Sequence, residues 1–97
     1  MTVVEFLTFD VPADEQAEWL RIEENHWSRF LERQPGYEGK QIWVNPDEPS
    51  KVHAVIWWTS MAHWKAVPED ELAAVAEAMG DHERVPVCTA FDLLRRT

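Results

Sequence analysis

The segment that most constrains the fold of this chain is a run of five apolar residues, Ala54-Val55-Ile56-Trp57-Trp58, inside a predicted strand from Lys51 to Thr59. Successive side chains of a strand point to opposite faces, so an unbroken apolar run belongs to a strand that is buried on both faces. This strand therefore needs a covering layer on each side. In a chain of 97 residues, the chain's own helices can supply one of these layers.

Three further segments have the composition of strands. Val3 to Phe9 and Tyr37 to Asn45 are rich in β-branched and aromatic residues, and Arg84 to Leu93 closes the chain in the same way. The polar segment from Asn45 to Ser50 contains two prolines and predicts a turn. The strands on either side of this turn should therefore form a hairpin.

Two helical segments separate these strands. The first should run from about Asp14 to Gln34 and end at Pro35-Gly36, because its apolar residues recur at ~100° per residue. The second should begin after Ser60, restart at Pro68 and end before Gly80. The order strand, helix, strand, strand, helix, strand predicts a ferredoxin-like α+β fold, in which a four-stranded antiparallel sheet has both helices on one face.

The face of the sheet that lacks helices is predicted to be apolar as well. Val3 and Val4, Phe6 and Leu7, and the run from Val55 to Trp58 are apolar at consecutive positions. An exposed apolar face of this size is abnormal for a soluble monomer. We therefore expect a single domain spanning residues 1–97 that forms a homodimer through this face of the sheet.

The charge of the chain argues against two classes of partner. Lys and Arg number 9 against 18 Asp and Glu, which gives a formal net charge of −9, and such a chain is repelled by nucleic acid and by anionic membranes. No stretch approaches the ~20 apolar residues that span a bilayer. The lone Cys88 excludes an internal disulfide, which suits a reducing compartment. We expect a cytoplasmic protein without nucleic-acid or membrane partners.

Six residues of the chain are tryptophan. Each indole needs a large buried surface and a partner for its N–H group. So much ring area predicts an aromatic core, a dimer interface or a cleft for a small apolar or aromatic ligand, and the sequence leaves these three open. The residues that we predict to line such a cleft are Trp19, Trp27, His53, Trp58 and Trp64.

Two of these residues point to opposite faces of the third strand. His53 shares its face with Val55 and Trp57, whereas Trp58 points the other way. Whichever face meets the helices would line the cleft. The pattern does not decide which one, because the strand is apolar on both faces.

Glu23 is the most unusual polar residue, because helical spacing places it among Trp19, Trp27 and Phe30 on the apolar stripe. A carboxylate among indoles is a candidate general base or acid. His26, one helical turn further on, could exchange protons with it. The alternative is structural for both residues: the Glu23 carboxylate would be held by neighbouring donors, and His26 would cap the edge of the core.

A metal site or a bound cofactor is not expected. The four histidines, at positions 26, 53, 63 and 82, include no pair at the i,i+4 spacing of a helical metal site, and Cys88 has no second cysteine. The three glycines form no phosphate-binding loop.

Several segments together resemble a known family. They are Val3 to Leu7, Trp27, Pro35 to Lys40, Trp43 to Asp47, Trp57 to Ser60 and Trp64 to Pro68. In these segments the chain resembles the antibiotic biosynthesis monooxygenase superfamily of dimeric α+β barrels. The resemblance implies a cleft between helices and sheet in each subunit. Known members oxidise aromatic polyketides without metal or flavin, degrade haem or isomerise small lactones.

The haem-degrading members can be compared with this chain residue by residue. They resemble it at Trp64, but their iron ligand is a histidine about three turns further on, where this chain has Leu72 to Ala76. Their asparagine on the first strand is also missing, since Val3 to Phe9 contains none. The resemblance therefore favours cofactor-independent oxidation or proton transfer on a small aromatic or apolar metabolite. The alternatives are a binding protein without catalysis and a structural dimer.

Overall fold

Four strands form one antiparallel sheet in the order β2-β3-β1-β4 in a computed structural model that describes all 97 residues. The strands are β1 (Val3–Asp10), β2 (Tyr37–Asn45), β3 (Glu48–Trp58) and β4 (Val87–Asp92). β1 pairs with β3 and β4, and β3 pairs with β2 on its other side. The apolar run thus lies in a central strand, and the predicted ferredoxin-like fold is confirmed.

The first helix is not the continuous α-helix that its periodicity predicts. A short 3₁₀ turn precedes it, and it consists of α1 (Gln16–Glu23), a π-helical segment (Glu24–Ser28) and α2 (Arg29–Leu31). The wider π turn brings side chains five residues apart together, and the Ser28 hydroxyl donates to both carboxylate oxygens of Glu23 at 3.1 Å. This side-chain contact favours the π segment over a regular turn.

The second helical segment follows the prediction closely. Helix α3 (Met61–Lys65) is capped by Ser60, whose hydroxyl accepts the His63 backbone N–H at 3.1 Å. Helix α4 (Glu69–Met79) begins directly after Pro68, and Gly80 ends it with a φ of 59°. None of the helices is both long and apolar enough to cross a bilayer.

Two strands start three residues away from the predicted position, whereas the strand ends agree with the prediction to within one residue. β3 starts at Glu48 rather than Lys51, because the turn is only two residues long and is closed by the Asp47 backbone N–H, which donates to the Asn45 side chain at 2.9 Å. β4 starts at Val87 rather than Arg84. The residue before it is proline, which has no N–H to contribute to the ladder.

The core lies between the helices and one face of the sheet, called here the inner face. This face carries Val3, Glu5, Leu7 and Phe9 of β1 and alternate residues of β3 from Val52 to Trp58. Two buried clusters form there. One consists of Phe9, Val11, Trp19, Val52 and Ala54, and the other of Phe30, Leu31, Ile56, Trp58 and Val67.

The opposite, outer face of the sheet has no helix packed on it and carries an aromatic group. Phe6 lies at its centre, with the rings of Trp43 and Phe91 at 6.2 and 6.0 Å and that of His53 stacked at 5.0 Å. Trp43 is 46% exposed and Phe91 53% exposed. Both faces of β3 are therefore apolar, as the sequence predicts.

Gly36 links the first helix to β2 and lies close to the side chain of His63 on α3. Its φ is +85°, and a Cβ atom there would overlap with Cβ and Cγ of His63. We expect Gly36→Ala to lower the free energy of unfolding by about 2 kcal/mol or more, since the left-handed backbone alone costs about 1–2 kcal/mol. Urea denaturation followed by tryptophan fluorescence measures this loss.

Gly39→Ala is the matched control for this substitution, because a Cβ at Gly39 meets nothing within 4 Å. We expect it to cost no more than about 0.5 kcal/mol. Equal losses for the two variants would contradict the packing described for Gly36.

Candidate functional site

A cavity of about 510 Å³ lies between the helices and the inner face, bordered by residues of both core clusters. Twelve of its 20 lining residues are hydrophobic. They include Trp27 and Leu31 from the first helix, Ile56 and Trp58 from β3, and Trp64 and Leu72 from the second helical segment. Both the volume and the mixture of apolar walls with a few polar groups are typical of sites for small organic molecules.

Three tryptophans line this cavity, and carboxylates accept the N–H groups of two of them. Trp58 is fully buried, and its Nε1–H donates to Glu5 Oε1 at 3.0 Å. Trp27 Nε1–H donates to Glu83 Oε1, also at 3.0 Å. These bonds fix the planes of both indoles and place two acidic groups at the wall of the cavity.

The other three tryptophans lie elsewhere. Trp19 is buried against Phe9, with ring centres 4.9 Å apart, and donates to the His82 carbonyl. It is not among the residues that line the cavity. Trp43 and Trp57 belong to the outer face, where they pair with His53 and Val4. The six indoles therefore do not form one site.

Glu23 reaches the cavity wall as part of a buried ion pair with Lys40 of β2. The side chains of Glu23 and Lys40 are only 6% and 7% exposed. Ser28 completes the group, because its hydroxyl lies 2.9 Å from Lys40 Nζ and also contacts both carboxylate oxygens. The structure thus provides the neighbouring donors that the structural alternative for Glu23 describes, and it keeps the carboxylate beside the cavity.

Glu5 is a residue of the cavity wall that was not predicted from the sequence. Its signal is the alternation along β1, where Val3, Leu7 and Phe9 face the helices and Glu5 occupies the position between them. Burial raises the pKa of the Glu5 carboxyl above its ordinary value of 4.5, against opposing contributions from the Trp58 hydrogen bond and the positive charges of Lys65 and Lys40. A charged residue at an inward strand position was the available clue.

The two predicted histidines do not join Glu23. His26 Nδ1 lies 2.8 Å from the Ile22 carbonyl, and the residue borders a separate shallow depression between the first helix and α4. His53 lies on the outer face, where Nδ1 contacts the Thr8 hydroxyl at 2.9 Å. The face that lines the cavity is that of Trp58, which decides between the two faces that the sequence left open.

One side of the cavity is bordered by charged residues and by the only cysteine. Lys65 Nζ lies 4.2 Å from the centre of the Trp64 ring. Arg84 donates to the Asp10 carbonyl at 3.2 Å, while its Nε is buried without a hydrogen-bond partner. Burial, together with the nearby Glu5 charge, raises the pKa of the Cys88 thiol. This thiol is therefore a weak nucleophile that is nevertheless accessible to reagents.

The residues around the cavity do not form a metal site. No group of three His, Cys, Asp or Glu residues is close enough to hold an ion. None of the four histidines borders the cavity, so it offers no imidazole as an axial ligand for haem iron.

The sequence matches the profile of one protein family, described as antibiotic biosynthesis monooxygenase, over residues 2–69. Among curated proteins, none matches.

Solved structures with the same fold include three of stated chemistry. A monooxygenase of Streptomyces coelicolor (ActVA-Orf6), in complex with nanaomycin D, has a TM-score of 0.78 at 15% identity, over 98% of this chain and 89% of that one. The haem degrader MhuD of Mycobacterium tuberculosis, with two haems bound, has a TM-score of 0.77 at 22% identity, over 98% of each chain. The cofactor-independent oxygenase SnoaB of Streptomyces nogalater has a TM-score of 0.67 at 19% identity, over 99% of this chain and 93% of that one. At these identities the likeness is one of fold.

The buried pair of Glu23 and Lys40 yields a prediction about stability. Lys40→Met would leave the Glu23 carboxylate without its cation, and breaking a buried ion pair in this way costs about 3–5 kcal/mol. The double variant Glu23→Gln/Lys40→Met should recover much of this loss, because it removes both charges. Chemical denaturation of the single and double variants measures the coupling.

Lys51→Met is the control, because Lys51 pairs with Asp10 at the exposed surface. That substitution should cost far less than Lys40→Met, because ion pairs exposed to solvent contribute little to stability. If Lys40→Met were no more harmful than Lys51→Met, the pair would not have the structural role described here.

Proposed function

Because the chain belongs to the antibiotic biosynthesis monooxygenase family, we propose that it is a cofactor-independent enzyme acting on a small aromatic or apolar molecule bound in the cavity. The observation that carries the proposal is the cavity itself, whose three indoles and several carboxylates lie between the helices and the sheet. The reaction is removal of a proton from a weakly acidic group, with oxidation of the resulting anion.

The chemistry that such a cavity supports follows from its composition. Apolar walls exclude water, so a carboxylate there is a stronger base toward a bound carbon acid than it is in solution. The anion formed is electron-rich and can pass electrons to dioxygen. Conversion of one CH₂ group to a carbonyl by one O₂, with release of one water, balances without an added reductant.

The known structures lend this proposal support of a general kind. One protein of the same fold is described as a cofactor-independent oxygenase, and another holds nanaomycin D as its ligand. These descriptions belong to those proteins, and their identities to this chain are 19% and 15%. They make a ligand in the equivalent cavity the natural hypothesis for this chain.

Haem degradation is the less suitable alternative, although a haem degrader has the same fold. Iron in haem needs an axial ligand, and the histidines of this chain lie at the outer face, in helix α3, in the 3₁₀ turn after α4 and on the far side of the first helix. At the cavity, helix α4 presents Glu69 and Leu72. Haem chemistry is therefore not part of the proposed function.

The proton-handling roles of Glu23 and His26 remain hypotheses. Lys40 and Ser28 both hydrogen-bond to the carboxylate of Glu23. One ring nitrogen of His26 contacts the Ile22 carbonyl. These contacts favour the structural alternative for both residues. They also favour the second candidate function, a binding protein that holds an apolar metabolite without turnover, unless another base is present.

We also infer that two copies of the chain pack through the outer face. Trp43, Phe6 and Phe91 form a contiguous aromatic group there, and the first and last of these are about half exposed in a single chain. Burial of this group against a second copy would provide the covering layer that the apolar β3 strand needs on its second face.

Access of ligands to the cavity is tested with Cys88, the only cysteine of the chain. We expect saturating 2-naphthol to slow alkylation of Cys88 by iodoacetamide several-fold and to quench tryptophan fluorescence, because Cys88 and three indoles border the same space. Leu72→Trp should abolish both effects by filling the cavity. Mass spectrometry measures the labelling.

Glu18→Cys in a Cys88→Ser background is the control, because Glu18 is exposed on α1 and does not border the cavity. Its labelling should not depend on 2-naphthol. Absence of protection at Cys88 by 2-naphthol and by other two-ring compounds would favour a sealed core over a ligand site.

Turnover separates an enzyme from a binding protein. With phenols or aromatic ketones that protect Cys88, the wild type should consume oxygen in an electrode assay. Glu23→Gln should lose stability while its oxygen uptake falls by much less than the about 100-fold that removal of a general base costs. A loss of that size with ligand binding intact would instead assign the proton transfer to Glu23, and no uptake by the wild type would favour the binding protein.

A further inference from the structure

Glu5 is a second carboxylate at the cavity wall, and its two oxygens differ in their contacts. Oε1 accepts the Trp58 indole N–H at 3.0 Å. Oε2 makes no hydrogen bond within the protein and is accessible to solvent. Because Glu5 borders the cavity, this oxygen is available to a bound molecule.

Glu23 differs from Glu5 in this respect. The Ser28 hydroxyl contacts both of its oxygens, and the Lys40 ammonium binds one of them. A carboxylate so engaged must give up a buried ion pair before it accepts a proton, which costs several kcal/mol. Glu5 has no ion pair to lose.

The surroundings of Glu5 suit a base. Indole and aliphatic side chains form the adjacent walls, and burial is the dominant influence on its pKa, raising it. Lys65 and Lys40 are close enough to oppose that rise by their positive charge. The same charges would stabilise an anion formed on a ligand in the cavity.

We propose that Glu5 is the catalytic base of this cavity, and that the substrate is an aromatic ketone whose acidic C–H group lies against Glu5 Oε2. Trp58 is a positioning residue, which holds the carboxylate by its other oxygen. This inference rests on the proposed function, since it assigns the base and the substrate class for the same cavity.

The step balances in atoms and charge. The C–H bond next to the carbonyl breaks, its electron pair remains on the substrate as an enolate, and the proton forms an O–H bond with Oε2. Glu5 passes from −1 to neutral while the substrate passes from neutral to −1. Dioxygen is the co-reactant of the later oxidation, and it is not needed for this step.

The test uses 2-tetralone, a two-ring ketone with acidic C–H groups, in D₂O under argon. We expect the wild type to accelerate deuterium incorporation next to the carbonyl, measured by proton NMR. Glu5→Gln keeps an acceptor for the Trp58 N–H but cannot take a proton, so its rate should fall by about 100-fold or more. Glu18→Gln, at an exposed position on α1, should match the wild type.

The pH dependence provides a readout that a structural role would not change. The exchange rate should rise with pH as Glu5 ionises, with a midpoint above the ordinary carboxyl value of 4.5. Trp58→Phe removes a hydrogen bond that lowers the pKa of Glu5, so the midpoint should move further upward. The other titratable groups around the cavity are Glu23, Lys40, Lys65, Glu69, Glu83, Arg84 and Cys88.

The outcomes distinguish this inference from the proposed function. If 2-tetralone fails to protect Cys88 from iodoacetamide, the ligand site itself is contradicted. If it protects Cys88 but the wild type gives no exchange, or if folded Glu5→Gln exchanges it as fast as the wild type, then Glu5 is not the base, and the ligand site stands. Circular dichroism confirms that each variant is folded.

Discussion

The ion pair between Glu23 and Lys40 holds the helical layer to the sheet at the cavity, and much of the interior depends on it. Glu23 belongs to the first helix and Lys40 to β2, so their contact joins the helical layer to the sheet at the wall of the cavity. The π segment belongs to the same arrangement, because it brings Ser28 onto the carboxylate. The wall of the cavity therefore includes an electrostatic contact as well as packed apolar side chains.

Hydrogen bonds from indoles to carboxylates are the second organising feature of the interior. Each indole N–H that is buried must find an acceptor, and here a strand carboxylate serves Trp58 while a loop carboxylate serves Trp27. Tryptophans and acidic residues thus occur together for a structural reason. As a consequence, carboxylates lie at an apolar wall of the cavity. One oxygen of Glu5 accepts no hydrogen bond from the protein.

The sequence was sufficient for the fold and for part of the site. Strand and helix periodicities predicted the order of the elements. The helical spacing of Glu23 predicted that this residue is buried, and it is only 4% exposed. Spacing did not reveal the π segment, because that depends on one hydroxyl reaching a carboxylate five residues away. The face of His53 stayed open because β3 is apolar on both sides. Glu5 was not predicted because β1 is apolar at consecutive positions, which left open the face of this strand that meets the helices.

The last strand gives the cavity an asymmetry. All six residues of β4 are exposed, and the strand is bonded to β1 along one edge only. Cys88 and the residues just before this strand form one wall of the cavity, while the opposite walls belong to the packed clusters. Local opening costs least where few contacts are lost. The edge of the sheet is therefore the side of the cavity where opening would break the fewest contacts.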